Sequence, residues 1–275
     1  MKYYTWEKSH LFRTVLVLCF SILIVSCGEE EPPDGSDESA FVLENGWVQY
    51  ETSSGMTVDA YYNHPGRETT VPAVIYNHGK YIEENGYDGA VAYGYDITDF
   101  SDALANSGYA GIAPLRLRPP RPTADDGRFD ATIQTLQDQT DIDDGNIFMY
   151  GFSRGGLLTL QYTVNDDSDL KGVILVSPSP GSDTDGGSNE FADELENLND
   201  LSVPFLVLLG ESEPNPTITH NCTTFVNQME SLGKDISFYT FTGTTEDPAD
   251  HSWFYLVRSD YWTKIDSFVL ANSNQ

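Results

Sequence analysis

Tyr150-Gly151-Phe152-Ser153-Arg154-Gly155-Gly156 sets Gly-x-Ser-x-Gly between a strand-like run, Phe148-Met149-Tyr150, and a helix-like one, Leu157-Leu158-Thr159-Leu160-Gln161-Tyr162. Flanked in this way, the motif reads as a nucleophile elbow, a tight strand-to-helix turn whose serine holds a strained backbone conformation with its hydroxyl exposed. Glycines two positions to either side are needed because a Cβ there would strike the turn. A bare Gly-x-Ser-x-Gly also occurs in glycine-rich loops, but the strand before it and the helix after it argue for the elbow. Ser153 is the candidate nucleophile.

Outward from the elbow, turn signals separate alternating strand-like and helix-like stretches. The runs 72–77 (PAVIYN), 109–115 (YAGIAPL), 146–151 (NIFMYG), 171–177 (KGVILVS), 203–209 (VPFLVLL) and 236–241 (ISFYTF) are mostly continuous apolar segments. A sheet covered on both faces requires strands of that kind. Amphipathic helix candidates lie at about 95–107, 129–139, 154–164, 218–232 and 252–271, most followed by Gly or Asn, as helix ends often are. Alternation of strand and helix predicts a parallel sheet. At the front, 47–52 and 56–63 alternate apolar with polar and are joined by Ser53-Ser54-Gly55, which predicts an antiparallel opening pair. The expected fold class is α/β, with a mostly parallel eight-stranded sheet flanked by helices. The longest insertion, 181–202, is polar and forms at most a small cap helix, so a minimal cap and an open site are expected.

Two further strand ends carry chemistry: Asn77-His78-Gly79-Lys80, and Leu209-Gly210-Glu211-Ser212-Glu213-Pro214. Together with the elbow they resemble the dienelactone-hydrolase-like branch of the α/β-hydrolases, relatives of acetyl xylan esterases and of prolyl-oligopeptidase catalytic domains, over roughly residues 45–270. The resemblance implies the chain order serine, acid, histidine. Only two histidines follow Ser153. His251 sits between the last strand and the C-terminal helix, where the resemblance puts the general base, while His220 reads as a helix-start or surface residue. His78 precedes the serine and is read as shaping its loop. An oxyanion needs two converging N–H donors, and the resemblance assigns them to the backbone of Arg154 and of Lys80. The acid falls on Glu213, where related sequences carry Asp, with Glu211 and Asp247 as rival carboxylates. The family's prototype uses a cysteine nucleophile, so a serine here implies esterase-type chemistry rather than dienelactone cleavage.

Competing patterns are missing. The chain has no Gly-x-Gly-x-x-Gly, no P-loop and no His-Glu-x-x-His, and its five histidines are scattered, so no metal and no cofactor are expected. Lys and Arg total 14 against 43 Asp and Glu, a net charge of -29, which repels phosphate backbones and excludes nucleic acid as a partner. Among the few cations, Arg116, Arg118 and Arg121 follow strand 109–115 on the carboxyl side of the sheet, where ligands bind in such folds. As substrate-binding residues they would capture a carboxylate or uronate; the alternative is that they pair with neighbouring acids.

The N-terminus reads as processing information. Lys2, Lys8 and Arg13 precede an apolar run at 14–26 that is short for a membrane span, and Ile24-Val25-Ser26-Cys27 resembles the bacterial lipobox. Residues 1–26 are thus expected to be a lipoprotein signal peptide, with Cys27 lipidated as the membrane anchor. That implies a place in the bacterial cell envelope, on the periplasmic or the surface side of the outer membrane. Residues 27–44, rich in Glu, Asp and Pro, form an acidic flexible tether before a catalytic-size domain over 45–275. Cys222 is then the lone cysteine of the mature domain, which precludes an internal disulfide.

The sequence therefore points to a serine hydrolase of carboxylic esters, with acylated glycans or small exogenous esters as substrates. A prolyl-oligopeptidase-like peptidase and a non-catalytic surface binding lipoprotein are the alternatives.

Overall fold

The computed structural model describes residues 42–66, 69–181 and 188–273. The signal peptide, Cys27 and most of the expected tether lie outside them. Eight strands form one sheet: β1 Gly46–Glu51, β2 Thr57–Asn63, β3 Val71–Asn77, β4 Ala110–Pro114, β5 Ile142–Phe152, β6 Gly172–Val176, β7 Phe205–Gly210 and β8 Ile236–Phe241. The strand order is β1-β2-β4-β3-β5-β6-β7-β8. β1 pairs β2 and β2 pairs β4 antiparallel, and every later pairing is parallel. This is the mostly parallel eight-stranded sheet with an antiparallel opening that the sequence pattern predicts.

Period-two alternation explains how one sheet serves two cores. Ala73 and Ile75 of β3, Ile147 and Met149 of β5, and Val173 and Leu175 of β6 join a cluster with Phe129, Leu157 and Phe225. Their neighbours Val74, Tyr76, Phe148, Tyr150, Ile174 and Val176 face the other way, onto Ile82, Phe100, Leu104, Tyr261 and Ile265. The first face is covered by α3 Arg128–Gln137, α4 Arg154–Asn165 and α6 Pro216–Ser231, the second by α1 Lys80–Ala92, α2 Ile97–Ser107 and α7 Ser259–Asn272. Strands buried on both faces must be apolar throughout, which is why they read as continuous runs.

Two local features depart from the sequence expectation, and a third meets it. α1 is not among the predicted helices; Gly86 at φ 73° interrupts its helical backbone, with helical turns continuing on either side. The expected helix 252–271 is broken into a 3-10 turn, Ser252–Tyr255, and α7, because Leu256 and Arg258 are extended. Inside the insertion 181–202, of which 182–187 lie outside the described residues, α5 Glu190–Glu194 and a 3-10 turn Leu195–Asp200 are the cap. Among the described residues, Cys222 is buried and free, and no helix is long and apolar enough to cross a membrane.

Candidate active site

Ser153 ends β5 and begins α4, and its backbone sits at φ 54°, ψ -119°. A non-glycine residue there is strained, and the surroundings hold it. Ser153 N–H donates to Val176 O at 3.0 Å, and Ser179 N–H to Ser153 O at 2.8 Å. A Cβ on Gly151 would stand 2.6 Å from Gly156 Cα, so that glycine is required by the turn itself. On Gly155 a Cβ would stand 2.0 Å from Asn77 O. The second glycine thus answers to the end of β3, the segment that carries the other expected oxyanion donor.

Ser153, Glu213 and His251 come from three different connections, and the geometry joins them. Ser153 Oγ lies 2.8 Å from His251 Nε2, and His251 Nδ1 lies 2.7 Å from Glu213 Oε2. A carboxylate only accepts, so Nδ1 carries the proton and Nε2 accepts from the serine O–H. The Glu213 side chain is 1% exposed and that of His251 24%, which leaves the imidazole reachable and its carboxylate partner shielded. The second carboxylate oxygen, Oε1, accepts from Asn215 N–H at 3.2 Å, and Ser212 N–H donates to Ala249 O at 3.1 Å. The acid loop and the histidine loop are therefore tied to each other.

The rival residues sit elsewhere. Glu211 is exposed and accepts from Thr242 Oγ1 at 2.9 Å, on the rim of β8. Asp247 closes a local turn with Thr244 and pairs with Arg258 at 2.7 Å. His220 is exposed on α6. His78 is fully buried, donating from Nδ1 to Gly79 O and accepting Arg116 N–H at Nε2, each at 2.9 Å. Burial and the nearby Arg116 push its pKa well below the ordinary histidine value, so it is a neutral strut for the loop and not a base.

Lys80 opens α1 and Arg154 opens α4. First-turn N–H groups have no acceptor inside their own helix, so both positions are suited to an anion. Arg154 follows the serine in the chain, and Lys80 shares with it a cleft of about 240 Å³ lined by Gly79, Lys80, Tyr81, Glu84, Phe152, Ser153, His251 and Tyr255. Its rim is aromatic. Tyr81 stacks on Tyr93 at 4.8 Å, Tyr255 stacks on Tyr95 at 4.6 Å, and Tyr93 is 63% exposed. Sequence reasoning missed Tyr81 and Tyr255; for Tyr81 the available signal was four tyrosines within residues 80–95, unused because no helix was predicted over α1.

The three arginines each pair with an acid. Arg116 is 1% exposed and bonds Glu83, Asn77 and the His78 carbonyl, so burial removes it from any ligand. Arg118 pairs with Glu83 at 3.2 Å and Glu84 at 3.7 Å. Arg121 and the Arg154 side chain share Glu190, at 2.7 and 3.1 Å, which links α5 to the elbow. Burial thus corrects the carboxylate-capture reading for Arg116, and Arg118 and Arg121 stand in the pairing with neighbouring acids that was its alternative. Among the described residues no cluster of three His, Cys, Asp or Glu is placed to hold a metal.

An eight-stranded, mostly parallel sheet with a serine elbow after β5, an acid after β7 and a histidine after β8 leaves one architecture. The chain has the α/β-hydrolase fold. Solved structures agree. A Pyrococcus furiosus esterase superposes with a TM-score of 0.62 at 14% identity, over 83% of this chain and 91% of its own. A protein assigned as a dienelactone hydrolase from Klebsiella pneumoniae gives 0.59 at 17%, over 82% and 99%. Dipeptidyl peptidase 4 from Porphyromonas gingivalis gives 0.59 at 16%, over 82% of this chain but 35% of its own, so the chain spans about a third of that enzyme's length. No family model and no curated protein matches this α/β-hydrolase-fold chain.

Proposed function

We propose that the chain is a serine hydrolase that cleaves carboxylic esters through an acyl-enzyme. The observation that carries this is the continuous relay Ser153–His251–Glu213, with links of 2.8 and 2.7 Å, opening on the cleft. His251 takes the serine proton as Oγ attacks the carbonyl carbon. Glu213 holds the imidazole in its tautomer and stabilises the imidazolium. The backbone N–H groups of Arg154 and Lys80 receive the oxyanion. His251 then protonates the leaving alcohol, and water repeats the sequence to release the acid. The proposed substrates are acylated glycans or small exogenous esters. The tyrosine rim supports this reading, since Tyr81 and Tyr255 line the cleft beside Ser153 and aromatic side chains suit contact with a ring.

Likeness to the dipeptidyl peptidase favours a second reading, amide hydrolysis. A fluorophosphonate probe, p-nitrophenyl esters, acetylated xylan and dipeptide amides assayed together test both. Labelling lost in Ser153→Ala, with turnover of esters above amides, is expected. Absence of labelling and of turnover in the wild type would leave a binding protein on a hydrolase scaffold. We also propose lipidation at Cys27; Cys27→Ser should retain the uncleaved precursor, whereas normal processing to an unanchored form would show an ordinary signal peptide.

A further inference from the structure

We propose that Arg116 and Glu83 are positioning residues that set the geometry of the oxyanion donors. The inference rests on Ser153 as the nucleophile. Arg116, just past β4, and Glu83, in the first turn of α1, form an ion pair at 3.4 Å with both side chains out of contact with water. Three groups at the end of β3 and just beyond it converge on the arginine: its guanidinium donates to His78 O and, at 3.5 Å, to Asn77 Oδ1, and its backbone N–H to His78 Nε2. Asn77 Nδ2 continues to Thr159 Oγ1 on α4 at 2.9 Å. One linked set of groups therefore spans both helices that begin at the donors, α1 at Lys80 and α4 at Arg154.

Stability alone does not account for this pair. Taking two charges out of water offsets most of their attraction, and apolar replacements of buried pairs are often neutral or stabilising. Placement is what a guanidinium supplies, because its planar fork holds several acceptors in fixed directions where an ammonium is a single point. Oxyanion donors act only when they stand about 2.7–3.1 Å from the developing charge, so a displacement of a few tenths of an ångström is felt in the transition state.

Arg116→Lys and Glu83→Gln test this, with kcat expressed per site titrated by a fluorophosphonate so that misfolded protein does not count. The expected result is a fall in kcat of about 10- to 100-fold with KM within twofold, since the donors are displaced and not removed. A trifluoromethyl ketone forms a hemiketal oxyanion on Ser153, and its Ki should rise by the factor that kcat/KM falls. A merely structural role would lower the melting temperature and the titratable fraction and leave kcat per site and Ki unchanged, and that outcome overturns the proposal. So does a fall in kcat without a matching rise in Ki. A wild-type protein that neither turns over esters nor labels would instead overturn the serine-hydrolase reading itself.

Discussion

Among the described residues, Glu213 is the carboxylate that bonds His251, and this decides which substitutions should matter. Glu213→Gln keeps the shape but not the charge that holds the imidazolium, so turnover should fall by roughly a thousandfold or more with little change in KM. Glu211→Gln and Asp247→Asn, whose partners are Thr242 and Arg258, should keep most of their activity. Turnover of all three on one ester checks the assignment; a near-normal Glu213→Gln beside a crippled Asp247→Asn would reverse it. His78 yields a stability prediction. Its folded pKa lies well below the ordinary 6.5, so as pH falls below that value the unfolded chain takes up a proton that the folded chain refuses. Stability from this site is complete above about pH 6.5 and declines below it, by up to about 1.4 kcal/mol per pH unit, until the folded form also titrates. Urea unfolding at pH 7 and pH 5.5 should show a shallower pH slope in His78→Gln than in the wild type. Equal slopes would remove His78 as the cause.

At the level of strands and helices, most of the architecture was legible, because burial on both faces forces apolar continuity into β3, β5, β6 and β7. Ser153, His251 and Glu213 were legible for a related reason: each follows a strand on the same edge of the sheet. α1 was not legible, since Asn85-Gly86 carries a true local break and only the tertiary contacts of Ile82 and Ala90 show that helix continues past it. The partners of Arg116, Arg118 and Arg121 were hidden as well; sequence shows a charge but not which acid it faces, and Glu83 lies on the helix that was missed. The approach of α4 to β3 gives this scale its prediction. Gly155→Ala would press a Cβ against the Asn77 carbonyl at 2.0 Å, and backbone cannot step aside as a side chain can. We expect a loss of about 2 kcal/mol or more by denaturant titration, together with impaired turnover, because both sides of the oxyanion site must part. Wild-type stability in that variant would show that the contact is relieved cheaply.

Over the whole molecule a net charge of -29 acts as self-repulsion, which favours expansion over the compact state. Salt shortens its reach, from about 30 Å in 0.01 M to about 8 Å at 0.15 M. The melting temperature should therefore climb by several degrees between those two concentrations of sodium chloride, and a flat or falling trend would show that attractive pairs such as Arg121–Glu190 dominate the surface. The same whole-chain view bears on the sheet's strand order. β3 lies between β4 and β5, and the serine and its histidine stand 98 positions apart. On a ribosome, the elbow emerges and can dock against β3 long before β8 and the loop beyond it exist. Throughout that interval the growing polypeptide carries Ser153 without its imidazole partner, and the proposed relay is completed only by the segment that follows the last strand of the sheet.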